Sequence, residues 1–342
     1  MDDSSPAPYA GLTPDRVLDA LDAVGLFCDG RLLALNSYEN RVYQAWLDDR
    51  ARASGDTAAA SIVVKFYRPA RWSDEQIGEE HAFVAELAAQ EIPVVAPLAI
   101  AGAATLHRFE SFRYAVYPQC GGRAPELEDR ATLEWIGRFV GRIHAVGKTV
   151  PFRVRPALDI ETFGNEPRDW LLAHGFIPSD LTAAWESVAA QAIDGVRRCY
   201  ERAGDVATLR LHGDCHAGNV LWRSDGPMQG PHFVDFDDCR SGPAVQDLWM
   251  LLSGDRDEMR RQLKAVLSGY EDFCDFDDRE LNLIEALRTL RLIHYSAWLA
   301  RRWHDPAFPA AFPWFNTQRY WQDRVLELRE QIAAMDEPPL AP

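Results

Sequence analysis

LHGDCHAGN, residues 211–219, places two histidines, an aspartate, a cysteine and an asparagine within nine positions. Three chemistries could use such a loop. Structural zinc takes four Cys or His ligands in two short clusters, and His212, Cys215 and His216 have no second cluster to complete a tetrahedron. A Cys215 nucleophile needs a base facing it, and sequence neighbours in an extended loop seldom face one another. The oxygens offer the third chemistry. Asp214 can orient a hydroxyl, while Asn219 and Asp235 present the hard oxygen ligands that Mg²⁺ prefers, with water and substrate phosphate completing the shell.

Working outward, HGDCHAGN fits H-x-D-x-x-x-x-N, the loop of phosphoryl transfer, in which the aspartate takes the hydroxyl proton and the asparagine binds metal. A metal-holding aspartate should follow, and DFDD (235–238) supplies Asp235. Upstream, VVKFY (63–67) sets Lys65 in an apolar strand, where a lysine reaches the α- and β-phosphates of ATP. A helical glutamate should hold that lysine. SDEQIGEEHAFVAELAAQ (73–90) reads as a helix, capped by Ser73 and Gln76 and apolar at Ile77, Phe83, Val84 and Leu87, and it carries both Glu79 and Glu80. Between this helix and the loop lies YPQCGG (117–122), a hinge against which adenine should rest, with Tyr117 and Gln119 as expected contacts. Strand lysine, helix glutamate, hinge, catalytic loop and metal aspartate thus occur in the order that a two-lobed kinase requires.

The texture of the chain agrees with two lobes. Strands are expected at 32–36, 41–46, 61–67, 94–100 and 112–118, and beyond residue 120 apolar residues recur at three- and four-residue steps over 133–147, 180–204, 258–273 and 280–303. The expected fold is α+β and bilobal: an antiparallel β-rich lobe with an N-terminal helix over 1–118, and a mainly helical lobe over 119–342. With 342 residues and 47% hydrophobic content the chain can bury a core of that size. Its formal charge of −16 argues against nucleic acid, which calls for clustered Lys and Arg. Neither a signal peptide nor an apolar run of about 18 residues is present, so no membrane is implied. The scattered cysteines 28, 120, 199, 215, 239 and 274 suit reduced thiols in a cytoplasm, and a monomer is expected.

Two features depart from ordinary protein kinases. The first turn reads NSYEN (36–40) without glycine, so Asn36 and Asn40 would have to tolerate the turn while Ser37 adds a hydroxyl at the phosphates. The metal motif reads DFD rather than DFG, and no A-P-E follows. Together with LLALNSYENRVYQ, VVKFYRPARW, LRLHGDCHAGNVLW, GPAVQDLWMLL and DPAFPAAFPWF, these features resemble the aminoglycoside phosphotransferase and choline kinase-like superfamily. Within it the chain is similar to the stress response kinase family of bacterial serine/threonine protein kinases, over nearly its whole length. The resemblance implies ATP- and Mg²⁺-dependent transfer to Ser or Thr of protein substrates. It implies Asp214 as proton acceptor, Asn219 and Asp235 as metal ligands, Ser37 at the ATP phosphates, and Glu80 rather than Glu79 as the partner of Lys65. A small-molecule alcohol kinase and an ATP-binding pseudokinase are the rival readings, because fold does not choose the acceptor. Bland roles fall to the rest: His212, Cys215 and His216 as loop scaffold, His144 in the core, Asp247 as support, and the acidic stretch 272–280 as a solvated loop.

Overall fold

Ile62, Val64 and Phe66 alternate with Val63, Lys65 and Tyr67, so a single strand, β3 (Ser61–Phe66), divides its side chains between two faces. The first three are buried beneath α1 (Pro14–Asp22), which contributes Val17, Ala20 and Leu21 to the same core. Each such fully buried apolar side chain contributes about 1.5–3 kcal/mol relative to exposure. The opposite face carries Lys65, with Tyr67 and Ala115 packed on Ile77 of α2 (Asp74–Ala89). That helix begins where the sequence places it, with a reciprocal cap between Ser73 and Gln76.

The computed structural model describes residues 7–48, 60–100, 102–224, 226 and 229–342. Strands β1 (Cys28–Ala34), β2 (Arg41–Leu47), β3, β4 (His107–Phe109) and β5 (Phe112–Pro118) form an antiparallel sheet in the order β1-β2-β3-β5-β4. The strand expected over 94–100 is absent, and β4 takes the place beside β5. Pro93 and Pro97 lack N–H donors, so this segment makes only single contacts, among them Val95 N–H to the Phe233 carbonyl at 3.1 Å and Leu98 N–H to that of Val116 at 2.7 Å. The Ala-rich stretch 53–60, whose composition predicts a flexible hairpin loop, falls almost wholly outside the described residues, as does part of the stretch 224–231.

The chain separates into two compact units, 1–123 with 223–237, and 124–222 with 238–342. Division at a single point near residue 118 would leave 223–237 with the helices. Instead, Phe233 exchanges backbone hydrogen bonds with Pro93 and Val95, and Phe236 sets its ring edge-to-face on Phe83 of α2.

The second unit is built from α3 (Arg130–Gly147), α4 (Glu166–Ala173), α5 (Ser179–Ala203), the short α6 (Val245–Trp249), α7 (Arg256–Tyr270), α8 (Ile284–Arg301), α9 (Ala307–Ala311) and α10 (Gln318–Asp336). Short strands interrupt the helices: β6 (Leu209–Leu211) pairs antiparallel with β9 (Arg240–Gly242), with β7 (Val220–Arg223) between them in sequence, while β8 (Gly230–Phe233) belongs to the first unit. Helices α3 and α7 approach backbone to backbone, for a Cβ on Gly137, Gly141 or Gly269 would run into a carbonyl of the facing helix. That approach brings the His144 ring 3.0 Å from the Tyr270 hydroxyl. The aromatic run 308–321 seals this unit, since Phe308, Phe315 and Trp321 are buried and Trp314 alone of its tryptophans is exposed. Among the described residues no helix is long and apolar enough to cross a membrane.

Candidate active site

In the first unit Lys65 is the centre of an ionic cluster. Its Nζ lies 3.0 Å from Asp235 Oδ1, 3.3 Å from Asp237 Oδ1 and 3.7 Å from Glu80 Oε1, with the Tyr67 ring 5.1 Å away. Burial works against the ammonium charge, but the three carboxylates outweigh it and hold the lysine well above its ordinary range. Glu80 is buried one helical step from the half-exposed Glu79, so the phase of α2 decides which glutamate meets the lysine. Asp235 differs from the other two acids. Its side chain is 52% exposed and its φ is +60°, a left-handed conformation that Asp tolerates better than most residues.

Motif spacing does not single out Asp237, the residue that makes DFD out of DFG. It is buried, pairs with Arg71, and accepts from Asn40 Nδ2 at 3.1 Å. The same Asn40 side chain accepts the Arg68 backbone N–H at 3.1 Å. Arg68 in turn donates to the Glu39 carbonyl at 3.1 Å and pairs with the Glu39 carboxylate at 2.9 Å, while the Tyr9 hydroxyl donates to that carbonyl at 3.0 Å. Neither Asn36 nor Asn40 adopts a positive φ. The glycine-free turn that holds the half-buried Ser37 is thus secured by ion pairs and amide bridges, not by asparagines in a left-handed conformation. The lone departure of DFD from DFG was the signal that could have found Asp237.

Tyr117 lies on the Lys65 face of the sheet, opposite Val63. Its hydroxyl is 3.0 Å from that of Tyr67, which is 2.7 Å from His81 Nε2, and His81 Nδ1 is 2.8 Å from Thr105 Oγ1. Burial pushes the Tyr117 phenol upward, so it stays neutral. Gln119 is exposed just beyond β5.

In the second unit, the loop 211–219 hangs from one buried carboxylate. Asp247, fully buried on α6, accepts the His212 N–H at 2.8 Å and the Gly213 N–H at 2.9 Å, and its Oδ2 lies 3.0 Å from His144 Nε2. Gln246 adds a bond from Nε2 to the Gly213 carbonyl at 3.1 Å. Gly213 has φ +86°, and a Cβ there would strike the Asp238 carbonyl, so the turn admits only glycine. Cys215 is buried with its thiol pushed upward by burial, which suits packing and not nucleophilic attack. His216 Nδ1 accepts the Gly218 N–H at 2.9 Å, closing the turn of 3₁₀ helix at 217–219.

Asp214 projects from this scaffold. Arg291 of α8 pairs with its Oδ1 at 2.9 Å, and His216 Nε2 lies 3.4 Å from Oδ2. Asn219 Nδ2 donates to the Asp214 carbonyl at 3.0 Å. Burial raises the pKa of the carboxyl, but His216 and Arg291 more than offset that and bring it down to about 2. Arg291, lying 77 residues beyond Asp214, was invisible to spacing along the chain.

Comparison with known proteins adds the lineage. A model of the phosphotransferase enzyme family matches residues 31–284. The serine/threonine protein kinase RdoA of Salmonella typhimurium is 47% identical over 332 residues, covering 97% of this chain and 96% of that protein. Stress response kinase A of Escherichia coli strain K12 is 46% identical over the same shares. A solved structure, amicoumacin kinase in complex with AMP-PNP, Ca²⁺ and Ami, has a TM-score of 0.70 at 19% identity, covering 96% of this chain and 95% of that one. The fold is therefore the bilobal kinase-like α+β fold.

Proposed function

The chain belongs to the phosphotransferase enzyme family, and we propose that it transfers the γ-phosphoryl group of ATP to Ser or Thr hydroxyls of proteins, itself among them. The observation that carries the chemistry is the setting of Asp214: its loop is anchored to Asp247, and its carboxylate is paired with Arg291 at 2.9 Å and lies 3.4 Å from His216 Nε2. The serine/threonine acceptor is supported by the name of a relative 47% identical along 97% of the chain.

In this reading Lys65, kept charged by its carboxylate neighbours, neutralises the α- and β-phosphates, and the Ser37 turn covers them. The acceptor hydroxyl attacks the γ-phosphorus and gives its proton to Asp214 while the bond to the ADP oxygen breaks. A weakly basic Asp214 suits a loose transition state, in which the hydroxyl is positioned early and loses its proton late. Asp235 and Asn219 each offer the kind of oxygen donor that Mg²⁺ prefers. Asp235 presents an exposed carboxylate, and Asn219 commits its NH₂ to the Asp214 carbonyl and so keeps its amide oxygen for a hard cation. When bound, that ion neutralises charge developing on the phosphate oxygens. Tyr117 and Gln119 would border the adenine. The cellular setting that goes with this reading is a cytoplasmic response to stress, carried out by a monomer.

The rival is a small-molecule alcohol kinase, favoured by the solved neighbour named for amicoumacin. Incubation with radiolabelled ATP separates the two. Label on the chain or on an added protein supports the proposal, and label on an added aminoglycoside or choline alone refutes it. Tight nucleotide binding with no turnover of any acceptor would instead identify a pseudokinase.

A further inference from the structure

The Asp214–Arg291 pair bears on which acceptors can approach. An unpaired catalytic carboxylate would attract ammonium groups as readily as it would orient a hydroxyl. Here a guanidinium 2.9 Å from Oδ1 cancels that field, and its side chain is still 39% exposed. Arg291 leaves α8 between the buried Leu290 and Ile293, so the helix fixes its stem while the charged head lies at Asp214. His216 on the other carboxylate oxygen leaves Asp214 little freedom to rotate. Asp238, another acid near Asp214, is itself paired with Arg240 at 2.7 Å.

Resting on the assignment of Asp214 as proton acceptor, we propose that Arg291 is a positioning and acceptor-selecting residue. It holds the Asp214 carboxylate in one orientation, and by neutralising it makes the site accept a hydroxyl in a neutral or acidic setting and reject cationic amino alcohols. Removing the guanidinium both loosens the carboxylate and leaves it as a bare anion that binds amines unproductively.

The test compares two serine peptides, one with acidic and one with lysine residues flanking the serine, in the wild-type chain and in the Arg291→Gln and Arg291→Lys variants. The wild type is expected to favour the acidic peptide by about tenfold in kcat/KM. Arg291→Gln should lower kcat by about 100-fold and bring the peptide ratio close to one. Arg291→Lys keeps the charge and should recover most of the ratio, with a partial return of kcat. In an Asp214→Asn background, Arg291→Gln should change kcat less than about twofold, because its effect passes through the carboxylate. Equal loss in both backgrounds, an unchanged peptide ratio in Arg291→Gln, or wild-type turnover of choline would overturn the inference. A folding failure of Arg291→Gln would show as a lowered melting temperature and leaves the Lys variant to decide. Should the wild type label only a small alcohol, the protein-acceptor reading fails, and the same comparison between that alcohol and its amino derivative still tests Arg291.

Discussion

The turn at 36–40 and the loop at 211–219 solve one problem, holding backbone in an irregular shape, by different means. The first has no glycine and is held from outside by charge: Asn40, Glu39, Arg68, Arg71 and Asp237 form a ring of ion pairs and amide bridges. The second uses Gly213 for a conformation no other residue fits, and is held from beneath by Asp247. A charge-held turn should yield gradually as partners are removed, since each group has several. A loop hung from one buried carboxylate should fail at once, because its loss strands two N–H groups where water does not reach.

The largest effect is expected at the tip of the second loop. Asp214→Asn should reduce turnover by about 10²–10⁴-fold while nucleotide affinity, measured by titration calorimetry, stays within about twofold. Undiminished turnover would remove Asp214 from the chemistry. Next, Asp247→Ala should cost about 100-fold in kcat by letting the loop shift. It should also cost about 3–5 kcal/mol in a denaturant melt, the range for removing one partner of a buried charged pair. A variant with normal kcat would show that the loop does not hang from Asp247. Asp237→Asn tests the charge-held turn. Neutralised, it still accepts from Asn40 but weakens its hold on Arg71 and Lys65, and a rise of about tenfold in the KM for ATP with kcat little changed is expected. A kcat effect as large as that of Asp247→Ala would erase the contrast between the two loops.

The smallest effect concerns Glu280, which the sequence places in a solvated acidic stretch and the structure buries, its Oε2 accepting the Val245 N–H of α6 at 2.8 Å. Burial pushes this carboxyl up to about 7, above its ordinary 4.5. A raised folded-state pKa means that the protonated form contributes stability that is complete below about 4.5 and is lost as the pH rises through about 7. The melting temperature should fall from pH 5 to pH 8, and Glu280→Gln should flatten that slope. An unaltered slope would refute the linkage.

Much of the fold was legible because its signals are local. Period-two alternation through Ile62–Phe66 and the Ser73–Gln76 cap name a strand and a helix without reference to anything distant. Residues 94–100 are apolar enough to suggest a strand, but Pro93 and Pro97 deny the ladder its donors, so none forms. The residue types of the candidate site, Lys65, Asp214, Asn219 and Asp235, stand out in sequence by order and spacing. Partners fixed across the chain did not: nothing within the chain's local pattern ties Arg71 to Asp237, Arg291 to Asp214, or His144 to Asp247.

What the sequence by itself determined, then, was the inventory: a β-rich part carrying a strand lysine, a helical part carrying an HGDCHAGN loop, and the order of acids between and after them. Periodicity, caps and motif spacing are short-range properties, and a linear chain displays them directly. The structure pairs Lys65 with Glu80, as the resemblance implies; only the tertiary structure decided that Asp237 closes the ring around the Ser37 turn and that a guanidinium from α8 sits on Asp214. Those choices turn on helical phase, on glycine-permitted helix contact and on the pairing of buried charges, which arise only when distant segments share one interior of low dielectric.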